Sequence, residues 1–285
     1  MSTPKIILIT GCSSGFGLLT AARLASSGHK VYATMRDPGK KEFLEIETAA
    51  RGGEKRLNIL AMDVSRPDTI KAAVKEIVAR EGVIDVLVNN AGFGIGGFFE
   101  DLSDADWRAQ YDVNFFGVLN VTREVLPIMR PRQKGLVINI SSMAAFSGTP
   151  AFGAYCSSKF ALEGFSECLY MELRPHGIRV ALVEPGSYRT KIFEENARYA
   201  SRFFDADSPY FSWSQRLKLM VDQHARANHR DPEEVAAEIE AIIDSPAPSF
   251  RNIVGFRSRV RYWFVRHIPF KFYAWMVDLA LPSNA

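Results

Sequence analysis

The sequence predicts an α/β fold, a doubly wound parallel sheet in a single domain. Three observations carry that expectation. Short runs rich in Val, Ile and Leu recur along the chain, nearly continuous in apolar character, as strands covered on both faces must be. Segments with a helical apolar period lie between them. A glycine-rich turn follows the first run at once and leads into a helix.

The runs, in order, are Ile6–Thr10, Lys30–Met35, Asn58–Asp63, Val83–Asn89, Gly135–Ser141 and Ile178–Glu184, with a short closing strand around Arg251–Val254. Leu18–Ser27 reads as the first helix. Pro67–Glu81 places Ile70, Val74, Ile77 and Val78 on one helical side. Ser103, followed three residues later by Asp106, is a capping start for a long helix through Tyr111–Met129. A further helix runs from Tyr155 to His176. Residues 190–230, rich in Phe, Tyr, Arg and Asp, show no strand pattern and read as an insertion with short helices over a substrate site. Residues 255–285 read as an aromatic and basic C-terminal extension.

Composition narrows the function class. A net charge of +3 spread over 285 residues is too small for a nucleic-acid protein. Cys12, Cys156 and Cys168 lack C-x-x-C or zinc spacing, so neither a disulfide framework nor a metal site is expected, and a reducing cytoplasm fits. The first strand starts at Ile6, which leaves no room for a signal peptide, and no uncharged apolar stretch is long enough to span a bilayer.

The glycine-rich turn is Thr10-Gly11-Cys12-Ser13-Ser14-Gly15-Phe16-Gly17. Glycines at such a strand-to-helix turn let the backbone approach a pyrophosphate, and the helix N-terminus favours its charge, as in a Rossmann fold. Ser13, Ser14 and Phe16 belong to the same loop. The spacing is G-x-x-x-G-x-G, and a plain structural turn is the alternative at this stage. Arg36 ends the second strand, 19 residues after Gly17, where an arginine accommodates the 2′-phosphate of NADP and an acid would hold the ribose of NAD. Asp37 works against that phosphate if it turns inward. NADP(H) is therefore expected ahead of NAD(H). Asp63-Val64 and Asn89-Asn90-Ala91-Gly92 fall at the ends of strands three and four, where a doubly wound sheet places its ligand, or else form ordinary turns.

Tyr155 and Lys159 are four residues apart and share one helix face, and Ser142 follows the fifth strand. A free phenol, with a pKa near about 10, is a poor acid or base at neutral pH. An ammonium one turn away favours the phenolate, and a serine can hold a substrate oxygen beside it. Y-x-x-x-K alone is common on surfaces; its meaning comes from the company of the other motifs.

Over about residues 5–190 these motifs together resemble the classical branch of the short-chain dehydrogenase/reductase family. The matching residues are Thr10-Gly11-x-x-x-Gly15-x-Gly17, Asp63, Asn89-Asn90-Ala91-Gly92, Asn114, Ser142, Tyr155-x-x-x-Lys159 and Pro185-Gly186…Thr190. The resemblance implies an enzyme that interconverts an alcohol and a ketone or aldehyde with a nicotinamide cofactor. It further implies that Asn114 sits at a helix break and holds a proton-relaying water, and that Lys159 also binds the nicotinamide ribose. Pro185 and Gly186 would line the nicotinamide, and Thr190 would hold its carboxamide. Segments 9–15, 31–37 and 155–164 resemble the 17β-hydroxysteroid dehydrogenase type 1 and retinol dehydrogenase group, which strengthens the NADP(H) expectation, because Arg36 followed by Asp37 recurs there.

The substrate end is less determined. Phe193, Tyr199, Phe203, Phe204, Tyr210, Phe211 and Trp213 either form an apolar lid, which points to a lipophilic alcohol or ketone substrate such as a steroid, retinoid or long-chain compound, or simply pack the domain, with Phe93, Ala144, Phe146 and Phe152 expected on the sheet side of the pocket. Cations mixed with Trp and Phe in the tail suit peripheral contact with anionic lipid, or a helix docked over the cleft or on a neighbouring subunit. The family resemblance implies a homo-oligomer, dimer or tetramer. A non-catalytic NADP(H)-binding redox sensor is the rival function, but it has no use for Asn114, Ser142, Tyr155 and Lys159 together.

Overall fold

The computed structural model describes residues 3–188, 197–227 and 230–280. The first half runs β1 (Ile6–Ile9), α1 (Gly15–Ser26), β2 (Lys30–Met35), α2 (Glu42–Ala50), β3 (Leu57–Ala61), α3 (Pro67–Glu81) and β4 (Val86–Asn89). Then come β5 (Gly94–Gly96), α4 (Asp104–Tyr111), α5 (Gly117–Met129), β6 (Gly135–Ile140), α6 (Gly153–Leu173) and β7 (Ile178–Pro185). The rest comprises β8 (Ala197–Tyr199), α7 (Phe211–Ala227), α8 (Glu233–Asp244), β9 (Arg251–Val254), α9 (Phe256–His267) and α10 (Phe270–Ala280).

Seven strands form one parallel sheet in the order β3-β2-β1-β4-β6-β7-β9. Ile7 pairs with Val31 on one side and Val86 on the other, so the strand order reverses at β1. That reversal opens a crevice at the carboxyl ends of β1 and β4. Helices cover both faces, as right-handed crossovers between parallel strands require. The pleat divides the strands between two cores. Ile7 and Ile9 face α1 and α8, where they meet Leu24, Val235 and Ile239. Leu8 faces the opposite layer of α3, α5 and α6, with Ile70, Ile77, Val121 and Leu169.

Ser103 caps α4 as its spacing from Asp106 predicts: its Oγ accepts from Asp106 N at 3.2 Å, and its own N–H donates to Asp106 Oδ2 at 3.0 Å. The long helix expected over 103–130 carries the break that the resemblance implies at Asn114, because Asp112–Phe116 forms a π-helical turn between α4 and α5. Such turns insert one residue into the ladder and aim a side chain inward; here that residue is Asn114, fully buried.

Residues 190–230 depart from expectation among the described residues. β8 pairs in parallel with β5, matching Gly94 with Ala197 and Gly96 with Tyr199, where no strand was expected. α7 is a helix of 17 residues, not a short one. A three-residue strand whose partner lies a hundred positions away leaves no periodic trace in sequence. Phe193 and Thr190 lie outside the described residues. Of the other aromatics, Phe203 is fully buried, Tyr210 stacks on Phe98 at 4.6 Å, and both join Trp213 in a third apolar cluster with Ile95 and Leu102. They pack the domain rather than line the cavity.

Candidate active site

The carboxyl ends of β1, β2, β3, β4 and β6 open into one cavity of about 640 Å³. At its floor the glycine loop is held by close packing. Gly11 (φ +72°) and Gly15 (φ +58°) adopt the left-handed backbone that side chains disfavour. A Cβ on Gly11 would stand 2.7 Å from Ala91 Cα, and one on Gly17 would stand 2.4 Å from both Asn90 Nδ2 and Gly11 O. Asn90 fastens the loop, donating from Nδ2 to Thr10 O at 2.8 Å and to Gly11 O at 3.0 Å. Thr10 Oγ1 answers by accepting from the N–H groups of Asn90 and Ala91. Ser13, Ser14, Gly15 and Phe16 line the cavity where α1 begins, and no acidic side chain occupies the first turn of that helix. An anion is favoured there by the helix dipole and the free N–H groups.

Arg36 lies on the cavity wall beside Met35 and Lys40. Asp37 is turned away, accepting the Gly39 N–H at 2.9 Å as the cap of a short 3-10 turn. Among the described residues no carboxylate pairs with Arg36. Asp63 makes an Asx turn, accepting from Ser65 N at 3.0 Å and Ser65 Oγ at 2.7 Å, and still lines the cavity with Val64. The turn reading and the ligand reading of Asp63 are thus compatible. Ala91 and Gly92 continue the wall from β4. The glycine cradle, the uncompensated helix start and the cations at its far side fit a dinucleotide with a pyrophosphate.

Ser142, Tyr155 and Lys159 meet at the other end of the same cavity, with Pro185 and Gly186 beside them. Ser142 begins a short turn and accepts from Ala144 N at 3.1 Å. Its hydroxyl also bonds the Tyr155 phenol. Burial pushes Tyr155 up to about 12, and the Ser142 bond opposes that rise. Lys159 is buried one turn further along α6 and donates from Nζ to Ile140 O at 2.8 Å, which anchors it to the end of β6. Its Nζ lies 6.0 Å from the Tyr155 ring centre. Burial lowers it to about 8, and the charge of Glu163 acts in the opposite sense. The arrangement supplies an oxygen holder, a proton donor or acceptor, and a cation to stabilise the phenolate.

Gly17 and Asn114 stand behind the cavity wall. Asn114 grips Phe93, accepting from its N–H at 3.1 Å and donating to its carbonyl at 3.0 Å, and reaches Ser158 Oγ at 3.3 Å. It thereby ties the segment after β4 to α6. Thr190 lies outside the described residues.

Residues 5–200 match the family model of the short chain dehydrogenases. The chain belongs to the short-chain dehydrogenase family. It is 38% identical over 252 residues to the 3-ketodihydrosphingosine reductase of Bacteroides thetaiotaomicron, covering 88% of each chain. It is 36% identical over 270 residues to human retinol dehydrogenase 8, covering 90% of this chain and 83% of the relative. A crystal structure of a short-chain dehydrogenase from Streptomyces avermitilis superposes with a TM-score of 0.81 at 30% identity, covering 99% of this chain and 100% of the other. A Burkholderia phymatum relative in complex with NAD gives 0.79 at 26% identity, covering 99% and 96%. A metagenomic relative in complex with NADP gives 0.69 at 30% identity, covering 88% and 96%.

This short-chain dehydrogenase carries site residues that its sequence did not announce. Arg198, directly after the first residue of β8, reaches the cavity with its guanidinium 5.0 Å over the Phe93 ring. Tyr188 lines the wall edge-on to Phe16 at 5.7 Å, beneath the guanidinium of Arg230 at 4.0 Å. Both depend on contacts from outside the motifs. Phe93 lines the cavity as expected, whereas Ala144, Phe146 and Phe152 do not: Phe146 packs against Tyr262 of α9 at 4.7 Å, and Phe152 joins the third core cluster.

Proposed function

We propose that this chain is an NADP(H)-dependent oxidoreductase that interconverts an alcohol and a ketone or aldehyde on a lipophilic substrate. The observation that carries the reading is the convergence of Ser142, Tyr155 and Lys159 in the cavity whose other end presents Arg36 and Lys40 without Asp37. A 2′-phosphate meets two cations there, while the one acid nearby is engaged in a turn. When bound, the nicotinamide supplies or accepts the hydride at the substrate carbon. In the reducing direction Ser142 holds the carbonyl oxygen and Tyr155 gives it the phenol proton. The Lys159 ammonium then stabilises the resulting phenolate. In the oxidising direction the same proton returns to Tyr155.

Two observations support a lipophilic substrate. Phe93, Tyr155 and Tyr188 face the cavity. The relatives above are, by name, a reductase of 3-ketodihydrosphingosine and a dehydrogenase of retinol, both lipid alcohol or ketone chemistry. Homo-oligomerisation is part of the proposal, since Phe116 before α5 and Phe160 and Met171 on α6 expose apolar surface.

The test follows nicotinamide absorbance with NADPH and with NADH against long-chain, steroid and retinoid carbonyls, with Tyr155→Phe alongside. NADPH-preferring turnover of apolar carbonyls, lost in the variant, is expected. Turnover of small polar carbonyls at equal rates would remove the lipophilic part, and binding without turnover of any carbonyl would favour the sensor.

A further inference from the structure

Helices α9 and α10 carry their apolar stripes on the wrong side for a helix that only packs on a core. On α9, Phe256, Val260 and Trp263 follow at spacings of four and three and are 79%, 50% and 62% exposed. On α10, Phe272, Trp275 and Leu279 follow at three and four and are 45%, 52% and 63% exposed. Residues spaced this way share one helix face. Phe272 and Trp275 stack at 5.4 Å, so the surface is organised while remaining open.

The inward sides of both helices are anchored. Arg261 donates to Ser147 Oγ at 3.1 Å, Tyr262 packs on Phe146, and Tyr273 donates to Gly148 O at 2.8 Å. These three contacts seat the pair on the loop between Ser142 and Tyr155. The open stripes therefore lie on the side of the helix pair turned away from that loop.

Charge selects the occupant. Residues 256–280 hold Arg257, Arg259, Arg261, Arg266 and Lys271 against Asp278 alone, a surplus that exceeds the +3 of the whole chain. Among the described residues none of these five cations pairs with a carboxylate; Arg259 and Arg261 donate to Ile253 O and Ser147 Oγ, which leaves the exposed Arg257, Arg266 and Lys271 for the open face. Exposed aromatics bordered by unpaired cations are complementary to an anionic lipid surface, where rings enter the headgroup layer and cations remain among the phosphates. A second copy of the chain suits this face less well, since a two-fold contact would set arginines against arginines.

We propose that the outer face of α9 and α10 is a docking surface for an anionic bilayer. The proposal concerns the partner of this face and is independent of which carbonyl is reduced.

The full chain is sedimented with vesicles of pure phosphatidylcholine and with vesicles in which about one third is phosphatidylglycerol. Binding to the anionic vesicles, weakened by added salt, is expected. Each cation contributes roughly fivefold to partition, so the triple variant Arg257→Ala, Arg266→Ala, Lys271→Ala is expected to lose about two orders of magnitude. The pair Trp263→Asp, Trp275→Asp is expected to abolish binding, and thermal melts show whether each variant keeps its fold. Absence of wild-type binding to anionic vesicles, or equal binding to both vesicle types with none lost in the triple variant, would overturn the proposal. So would a Trp pair variant that still binds vesicles but falls from oligomer to monomer, because the face would then be a subunit interface.

Discussion

Asp37 directs its carboxylate onto the Gly39 N–H, 2.9 Å away, and leaves the neighbouring Arg36 side chain facing the cavity. Two adjacent residues of opposite charge at the end of β2 are thereby separated in role: one terminates a turn, and the other remains for a ligand. A hydrogen bond between charged groups is worth about 1.5–3 kcal/mol. Arg36→Ala is accordingly expected to raise KM for NADPH by roughly 10- to 100-fold while changing KM for NADH little. Steady-state kinetics with both cofactors checks this, and equal losses with both would count against a 2′-phosphate contact.

The pH dependence of turnover follows from Ser142 and Tyr155. Burial holds the phenol up, to about 12, and the Ser142 bond pulls it down. In the proposed reaction carbonyl reduction uses the protonated phenol and alcohol oxidation uses the phenolate, so oxidation is expected to rise with pH. Loss of the Ser142 hydroxyl removes the downward influence and raises the phenol further. Ser142→Ala should therefore shift the rising limb of oxidation to higher pH and lower kcat by about 10²-fold or more. A pH–rate profile of oxidation in both proteins decides it; an unshifted limb would mean that Ser142 does not act on the Tyr155 proton.

Arg251 of β9 gathers the buried carboxylates of Glu163 and Glu184, with 3.1 Å to Glu184 and a shorter contact to Glu163. One guanidinium thus serves two buried carboxyl groups, and burial raises both above the usual carboxylate range. Glu184 is the one displaced furthest, to about 8, chiefly by burial and then by the charge of Glu163. A carboxyl raised in the folded state above its unfolded value near 4.5 stabilises the fold at low pH, and that stability is lost as pH climbs from about 4.5 through about 8. Thermal melts are expected to show Tm falling across this window, with the slope flattened in Glu184→Gln. Arg251→Ala strands both carboxylates and is expected to cost about 3–5 kcal/mol at neutral pH.

Gly17 offers a test of the loop itself. A methyl group there would meet Asn90 Nδ2 and the Gly11 carbonyl, the two groups that hold the turn closed. Gly17→Ala is expected to displace the Asn90 fastening, raise KM for the cofactor at least 10-fold and cost about 1–3 kcal/mol of stability. Cofactor titration and a melt read both effects. Because Gly17 does not line the cavity, unchanged KM with lowered Tm would restrict its role to packing.

Much of the fold is legible in the amino-acid sequence. Each strand of the main sheet falls within a residue or two of an apolar run, except β4, which starts at Val86 and not at Val83. Strands buried on both faces need apolar side chains at every position, and that demand is local. The glycine loop was legible for a related reason: a positive φ and a backbone packed against Ala91 leave little choice of residue. The Tyr155 and Lys159 pair was legible from helical spacing, and Ser103 from its cap.

What the amino-acid order determined alone was thus the sheet, its crevice and the residue types gathered at the strand ends, because helix period, strand burial and turn chemistry act over a few neighbours. Tertiary structure alone decided the rest. Arg251 reaches Glu163 and Glu184 from a strand 88 and 67 positions away in sequence. Arg198 enters the cavity because β8 pairs with β5. Asp37 shows which way it turns only through its bond to Gly39. The outward face of α9 and α10 becomes visible only once their other side is seated on residues 146–148. Each of these depends on which surfaces meet after folding, and a sequence pattern records the faces of an element without naming what lies against them.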